Sequence, residues 1–434
     1  MTVLCKVSSS RLNIKKTAGG RSMRRSVVAL AGTLDTKAVE YGFVKEEILK
    51  HGCDVIMIDT GVLGEPGFEA EIKREEIAKA GGVKLSDFAA RVEGDTRVRA
   101  TMAMGKGLAV ILKKLLKEGK IDAVLGMGGT GGTDCLSSAF RQLPLEFPKM
   151  IVSTMASNNT KPYVGNSDLI MMYSVTDIAG LNNISRAVLA TAAHAAVGMA
   201  NGYEDTRKML GSSKPLIGMT MWGVTTPFVM KMREILESKG FDVAIFHAVG
   251  EGAAMEELIE EGVIQGVIDG ALPEILNWKN GGIFSAGPNR LMAASKMGIP
   301  EVIVPGAVEA FNFGAMDTVP EEYNTPARNV FLHNPNITSL RATQEELIWL
   351  AEYVADRINK NAGPKAIYLP TLGLDRYMAE GGPWYGAEYL KPFFDTLKEK
   401  TFSDTPITEM ENMINDEEFA IAVANKFLEL WENR

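Results

Sequence analysis

The feature that most constrains the fold is the stretch 121–133, in which a short apolar run leads into five glycines within eight residues. The run 123–125 predicts a buried strand, and the pattern from Asp134 to about Leu143 predicts a helix. Glycine lets a ligand approach the backbone closely, and the free N–H groups at the start of a helix attract anions. We therefore predict a phosphate-binding loop at residues 126–133.

This loop fits the pattern G-x-G-x-x-G, but the acid that would hold an NAD ribose about 20 residues later is missing. It is not a Walker A loop either, because a glycine precedes Thr133 where a lysine would be required. The alternative is a tight turn that binds nothing. If the loop binds phosphate, Gly128→Val should abolish binding and leave the fold intact. The predicted contacts are Gly128, Gly129, Thr130, Gly131, Gly132 and Thr133.

Composition excludes several classes of function. A formal net charge of -8 argues against broad binding to nucleic acid or to anionic membranes. The most apolar run, 187–200, is shorter than the roughly 20 residues needed to cross a bilayer. The three cysteines show neither metal spacing nor a disulfide framework, which predicts a reducing, cytoplasmic location.

The chain of 434 residues is long enough for more than one domain. Residues 1–25 form a basic leader with seven Lys or Arg and no acid. We predict that this leader is disordered, and a targeting segment or a mis-assigned start are the alternatives. Beyond it we predict two domains, at residues 26–210 and 211–434.

Strands that alternate with helices predict parallel sheets covered on both faces. Three pairs of similar segments recur in the same order along the chain, at 50–59 and 238–247, 117–124 and 260–267, and 147–152 and 299–304. We therefore predict an α/β protein with two Rossmann-like parallel-sheet subdomains related by internal duplication. The first copy is predicted to carry an insertion at about 60–105.

Polar residues follow several of the predicted strands, and ligands of open α/β sheets bind beyond the carboxyl ends of the strands. Asp59 and Asp177 are candidates for holding a Mg²⁺ ion that bridges phosphates. Loop solvation and capping are the alternatives for these residues. The further predicted ligand contacts at strand ends are Gly32, Thr33, Asp35, Thr36, Asp59, Ser153 and Thr154.

The four histidines lack metal-ligand spacing, so no zinc site is predicted. His333 lies where an apolar strand meets a turn, and it is the best candidate for a general acid or base. Simple packing is the alternative for His333. Asp177 is the other catalytic candidate.

Four stretches together are similar to a known family, namely 32–37, 126–133, 152–158 and the long run 172–186. With them, the chain from about residue 26 onward resembles the Tm-one-like ATP-binding family, named after a plant tobamovirus-resistance protein. His333-Asn334 and the segment 373–383 belong to the same match. The resemblance implies an ATP site in the first of two Rossmann-like subdomains, and a homodimer. The resemblance implies that the glycine loop and Thr33, which match the family by position, contact the nucleotide. The same role is implied more loosely for Ser153, Thr154 and Asp177.

We therefore predict an ATP-binding protein that couples ATP, with Mg²⁺, to a small carboxylated or carbonyl substrate in the cleft between the subdomains. One alternative is a regulatory or inhibitory module that binds ATP and a protein partner without turnover. Another is a dinucleotide-dependent oxidoreductase, which the missing acid disfavours. Nucleic acid and membranes are not expected partners.

Overall fold

The computed structural model describes residues 24–88, 95–210 and 214–434. The predicted leader at 1–25 lies almost wholly outside these ranges. The chain forms two compact units, Met1–Gly211 and Ser212–Arg434. Within the described residues, no helix combines the length and the apolar character needed to cross a bilayer.

The described part of the first unit contains one sheet of five parallel strands, in the order β2-β1-β3-β4-β5. Because β1 lies between β2 and β3, the connections after β1 and β3 run to opposite sides of the sheet. Such a switch point leaves a crevice between the carboxyl ends of the two strands. The strands are β1 (Val27–Gly32), β2 (Asp54–Asp59), β3 (Ala123–Gly128), β4 (Lys149–Ser153) and β5 (Ile170–Tyr173).

Helices cover both faces of this sheet. They are α1 (Ala38–Lys50), α2 (Arg74–Ala80), α3 (Asp95–Lys117), α4 (Thr130–Phe140), α5 (Lys161–Val164) and α6 (Asn183–Leu210). Val28 and Leu30 of β1 pack with side chains of α1 and α6. The alternate residues Ala29 and Ala31 pack with α3 and α4 on the other face. Since both faces are buried, the strands are continuous apolar runs.

The second unit has a six-stranded parallel sheet in its described part, in the order β7-β6-β8-β9-β13-β14. Its strands are β6 (Leu216–Met221), β7 (Asp242–His247), β8 (Gly266–Asp269), β9 (Glu301–Ile303), β13 (Lys365–Pro370) and β14 (Ile407–Met410). Between β9 and β13 lies a small antiparallel sheet of β10 (Ala310–Phe313), β11 (Phe331–Asn334) and β12 (Ile337–Arg341).

Helices also cover both faces of the second sheet. Side chains of α7 and α13 pack on one face, and those of α11 and α12 pack on the other. The helices of this unit are α7 (Thr226–Ser238), α8 (Gly252–Glu260), α9 (Pro273–Asn280), α10 (Ala293–Met297), α11 (Gln344–Ile358), α12 (Lys391–Lys400) and α13 (Glu417–Glu432).

The two sheets repeat one topology. If the strands of each parallel sheet are numbered in chain order, both sheets begin with the order 2-1-3-4-5. The three recurring sequence segments fall on equivalent strands, β2 and β7, β3 and β8, and β4 and β9. The predicted fold class, two parallel-sheet α/β subdomains related by duplication, is therefore confirmed. In the first unit the enlarged connection lies between β2 and β3, as the insertion at 60–105 predicted.

The glycine run is not the loop that its composition predicts. Strand β3 continues through Gly128, Gly129 is the N-cap, and α4 begins at Thr130, four residues before the predicted start. A Cβ on Gly128 would lie 2.9 Å from Cα of Gly132. Glycine at this position therefore lets the helix turn back against the strand. The prediction that Gly128→Val would leave the fold intact is wrong, because the added side chain would meet helix backbone.

Candidate functional site

A cavity of about 430 Å³ lies at the switch point of the first unit, where β1 and β3 end. Its walls come from the loop after β1, the loop after β2, one face of α3 and the first turn of α4. The lining residues are Thr33, Asp35, Thr36, Lys37, Thr60, Val62, Leu63, Arg97, Ala100, Thr101, Met104, Gly129, Thr130, Gly131, Gly132 and Cys135. These residues are called the glycine crevice below.

The first turn of α4 supplies hydrogen-bond donors to the glycine crevice. The backbone N–H of Thr133 bonds to the Gly129 carbonyl oxygen. The N–H groups of Thr130, Gly131 and Gly132 precede it in the helix and have no acceptor among the described residues. Unpaired N–H groups at the positive end of a helix dipole favour a bound anion. The glycines keep these groups open to the cavity, since Gly129, Gly131 and Gly132 add no side chain.

Two cationic side chains face the same cavity. Arg97, in the first turns of α3, is exposed, and its Nη2 lies 3.5 Å from the place that a Cβ on Gly131 would take. Its guanidinium forms no ion pair with the described residues. Lys37 follows β1, and its Nζ donates to the Ile178 carbonyl oxygen. The loop itself contains no lysine, but neighbouring elements bring positive charge to it.

The crevice also offers acceptors and hydroxyl groups. The carboxylate of Asp35 accepts hydrogen bonds through Oδ2 from the N–H groups of Val62 and Leu63, at 3.1 and 2.8 Å. Its Oδ1 is buried and has no hydrogen-bond partner among the described residues. The hydroxyls of Thr33 and Thr36 lie 3.0 Å apart. Such groups suit the hydroxyls of a sugar or the water shell of a metal ion.

Asp59 was predicted as a ligand contact, but the structure gives it a structural role. It is buried at the end of β2, and its Oδ2 accepts from Arg74 Nε at 2.6 Å. Its Oδ1 accepts from the N–H groups of Leu34 and Gly61, at 3.1 and 2.9 Å. With both oxygens occupied, Asp59 is not available to hold a ligand or a Mg²⁺ ion, and the prediction is corrected.

Gly32 also differs from its predicted role. A Cβ on Gly32 would overlap the ring of Tyr41, 1.7 Å from its hydroxyl oxygen. That hydroxyl accepts from the Met127 N–H at 2.8 Å and lies 2.7 Å from the Ala31 carbonyl oxygen, so it links β1 with β3. Burial raises the pKa of Tyr41, which stays protonated. Gly32 makes room for this tyrosine and does not line the crevice.

Four further predicted contacts lie behind or beside the crevice. Thr133 is buried, and its Oγ1 contacts the Gly129 carbonyl oxygen and Ser153 Oγ, at 2.8 and 2.7 Å. Ser153 is buried too and accepts from the Met155 N–H. Thr154 lies next to Gly129 without lining the cavity. Together with Gly128, these residues fix the strand–helix junction instead of facing a ligand.

The two catalytic candidates belong to different units. Asp177 is exposed, and its Oδ1 caps its own neighbour by accepting from the Ile178 N–H at 2.8 Å. It lies outside the glycine crevice, so a Mg²⁺ ion shared by Asp59 and Asp177 has no support. His333 belongs to the second unit, where it lines a different cavity.

Lys37 and Arg97 are the two cations lining the glycine crevice that the sequence did not reveal as candidates. Lys37 ends the 32–37 motif and directly follows predicted contacts, so its position was a usable signal. Arg97 lies in the first turns of α3, within the region of the insertion predicted at about 60–105. Nothing in the sequence pattern relates that helix to the glycine run.

Two histidines meet on the surface of the first unit although their sequence positions are far apart. Ligand atoms of Glu47, His51 and His194 lie within 4.8 Å of one another. The Glu47 carboxylate already contacts His194 Nε2 at 3.4 Å and Lys50 Nζ at 3.5 Å. His51 Nδ1 lies 2.8 Å from the Glu47 carbonyl oxygen. We therefore assign this cluster to the contact between α1 and α6.

Comparison with family models matches both units. The model described as the N-terminal domain of the uncharacterised protein family UPF0261 matches residues 26–205, and the C-terminal domain model matches 214–431. A UPF0261 protein of Clostridium tetani is 44% identical over 412 residues, which cover 94% of this chain and 100% of that protein. A UPF0261 protein of Mesorhizobium japonicum is 37% identical over 92% of this chain and 97% of its own length.

A plant protein is also similar. The ToMV resistance protein Tm-1(GCR237) of Solanum lycopersicum is 36% identical over 341 residues, which cover 77% of this chain and 45% of the tomato protein. Among solved structures, UDP-N-acetylglucosamine 2-epimerase from Rickettsia bellii is 11% identical and covers 64% of this chain and 79% of its own, with a TM-score of 0.22. A structural similarity this low does not indicate a shared function.

Proposed function

The chain belongs to the UPF0261 family, and from that premise we propose that the glycine crevice of its first unit binds ATP. The observation that carries the proposal is the convergence of three unpaired helix N–H groups with Arg97 and Lys37 on one cavity. A polyphosphate chain is the ligand whose charge and number of acceptors suit such a set of donors.

The rest of the crevice suits the remaining parts of a nucleotide. Its volume of about 430 Å³ lies within the roughly 300–1,000 Å³ of small-molecule sites. The apolar side chains of Val62, Leu63 and Met104 offer a surface for a base. The free Oδ1 of Asp35 can accept from a ribose hydroxyl or from water on a Mg²⁺ ion.

The test is calorimetric titration of the whole protein with ATP, ADP, NAD and NADPH, with and without Mg²⁺. We expect ATP to bind, and Arg97→Ala to lower its affinity about tenfold or more, because a hydrogen bond to a charged group contributes roughly 1.5–3 kcal/mol. Arg99→Ala is the matched control, since Arg99 is an exposed arginine of the same helix that does not line the crevice.

Equal losses in the two arginine variants would show that only the overall charge matters. Tight binding of NAD without binding of ATP would overturn the proposal and favour the oxidoreductase. A phosphate-release assay then separates the other two alternatives. Release with small carboxylates or carbonyl compounds supports an ATP-dependent enzyme, whereas binding without release supports a regulatory module. Sedimentation of the same samples tests the predicted homodimer.

A further inference from the structure

The second unit has a cavity of its own at the carboxyl edge of its sheet, with a volume of about 230 Å³. Trp222 follows β6 and His247 ends β7, while Glu309 and Asp375 follow β9 and β13. Two stretches that the glycine crevice does not use, His333-Asn334 and 373–383, meet here, since His333 and Asp375 both line the cavity. This cavity is called the acidic crevice below.

The centre of the acidic crevice is a pair of carboxyl groups. Glu309 and Asp375 are each 1% exposed and both line the cavity, and their carboxyl groups lie close enough for each to shift the pKa of the other. Burial and the neighbouring carboxyl group raise the pKa of Glu309 well above its ordinary value. Burial also raises the pKa of Asp375, whose Oδ1 accepts from the Tyr377 N–H at 2.7 Å. Two carboxyl groups that share one proton carry a single negative charge.

This negative charge has no counter-ion within the described residues. Arg341 and Arg376 are near enough to lower the pKa values of Glu309 and Asp375, but neither forms an ion pair with them. Apart from the contact between the carboxyl groups, Glu309 Oε2 and Asp375 Oδ2 have no hydrogen-bond partner in the described part of the chain. A buried charge without a partner is costly, so a cation brought by a ligand would find a favourable place.

Aromatic rings form the remaining walls. Trp222 and Phe284 are packed edge to face with their centroids 5.4 Å apart, and Tyr377 and Trp384 are packed likewise at 5.5 Å. All four side chains line the cavity. Aromatic faces attract organic cations through the ring quadrupole, and ammonium groups are the ligands that such walls recognise.

The backbone beside the acid pair is strained. Ala307 lines the cavity and has a φ of 55°, the left-handed region that residues with a Cβ rarely adopt. Strain of this kind costs roughly 1–3 kcal/mol and is found mainly at ligand and active sites. The strained residue, Ala307, lies two residues before Glu309, and both residues line the cavity.

We propose that the acidic crevice binds a small organic ammonium cation, with its charge against the Glu309–Asp375 pair and its carbon atoms between the aromatic rings. This site is separate from the glycine crevice, and it does not depend on whether ATP binds there. The proposal rests on the enclosed acid pair, its missing counter-ion and the four rings.

Three probes of similar branched shape test the charge directly on the intact protein. Tetramethylammonium, tert-butanol and trimethylacetate are titrated by ligand-observed saturation-transfer NMR. We expect tetramethylammonium to bind at least about tenfold more tightly than the neutral and anionic probes. Asp375→Asn, which removes the charge and leaves the protonated Glu309, should weaken tetramethylammonium binding about tenfold, whereas Glu380→Gln, at an exposed acid that does not line the cavity, should leave it unchanged.

If Asp375→Asn does not fold, Trp222→Leu provides a second test, because Trp222 is only half-buried. It should weaken tetramethylammonium several-fold and leave tert-butanol unaffected. Equal affinity for the cation and the neutral probe would overturn the proposal. Preference for trimethylacetate, or no binding by any probe, would overturn it as well.

Discussion

Glu301, the first residue of β9, is a fully buried carboxyl group with an incomplete set of partners. Its Oε2 accepts from Asn361 Nδ2 at 2.7 Å, and its Oε1 has no partner among the described residues. Burial raises its pKa from 4.5 to about 8. The folded protein therefore keeps a proton on Glu301 in a pH range where the unfolded chain has released it.

Because the folded protein retains this proton, its free energy of unfolding falls as the pH rises. This contribution to the free energy of unfolding is greatest below pH 4.5, falls as the pH rises and levels off above about pH 8. Glu301→Gln cannot ionise, so we expect it to match the wild type near pH 5 and to be more stable near pH 8.5, by up to roughly 4 kcal/mol. Urea unfolding at the two pH values measures the difference.

The control for this prediction is Glu352→Gln, which removes an exposed carboxyl group from α11. Its stability should follow that of the wild type at both pH values. If the unfolding curves of Glu301→Gln ran parallel to those of the wild type at both pH values, Glu301 would already be ionised in the folded protein.

At the residue scale, the sequence could not separate ligand contacts from buried structural groups. Thr33, Asp35 and Thr36 were predicted as ligand contacts, and all three line the glycine crevice. Asp59, an equally plausible acid at a strand end, instead accepts a hydrogen bond from Arg74 Nε at 2.6 Å, whereas Arg74 Nη1 lies 3.9 Å from Asp35 Oδ2. Both acids follow apolar strands, and the spacing of residues along the sequence does not give these distances.

Among the elements, the junction of β3 and α4 shows how glycine number misleads. Eight residues with five glycines predict an open loop. In the structure, three of the five glycines belong to β3 and the N-cap of α4, and the other two lie in α4 itself. The glycines serve close packing at Gly126 and Gly128, where a Cβ would meet Leu136 and Gly132. Those at 129, 131 and 132 keep the cavity open.

This difference predicts opposite effects for two neighbouring substitutions. Gly128→Ala should lower the free energy of unfolding by about 1–3 kcal/mol, because its Cβ would lie 2.9–3.1 Å from backbone atoms of α4. Gly132→Ala should raise it by about 0.5–1 kcal/mol, because its Cβ would meet only the Met127 carbonyl oxygen, at 3.9 Å. Urea unfolding of both variants measures the two changes.

Equal destabilisation by both alanines would mean that the turn needs glycine throughout.

The elements themselves were largely predictable, because apolar runs of five or six residues alternate with longer amphipathic segments. The insertion before β3 was predicted, but the elements within it were not, since residues 60–100 lack a clear period. That segment nevertheless supplies Arg97, the cation on which the proposed function depends most.

For the whole molecule, each crevice is lined by residues of one unit alone. We therefore expect Arg97→Ala to weaken ATP binding and leave tetramethylammonium binding unchanged, and Asp375→Asn to weaken tetramethylammonium binding and leave ATP binding unchanged. Titration of each variant with both ligands measures the two effects. A loss of both ligands in either variant, with an unchanged unfolding temperature, would instead reveal energetic coupling between the units.

The duplication was visible in three short segments because each belongs to a strand or to the turn before it. The crevices were not visible as a pair, because the equivalent of the glycine run in the second unit has a different sequence. There, Asp269 ends β8 and is paired with the buried Arg290, which also bonds to Glu274 at 2.9 Å. The second unit therefore repeats the sheet without repeating the glycine-rich turn.

The enlarged connections have a consequence for how such a chain can diversify. In the first unit the longer connection follows the second strand and contains α3 with its arginine, and in the second unit it follows the fourth strand of the parallel sheet and contains an antiparallel sheet beside Glu309. The two parallel sheets have the same order over five strands. A pocket at the carboxyl edge of one type of sheet can thus take its charged groups from a different connection in each unit.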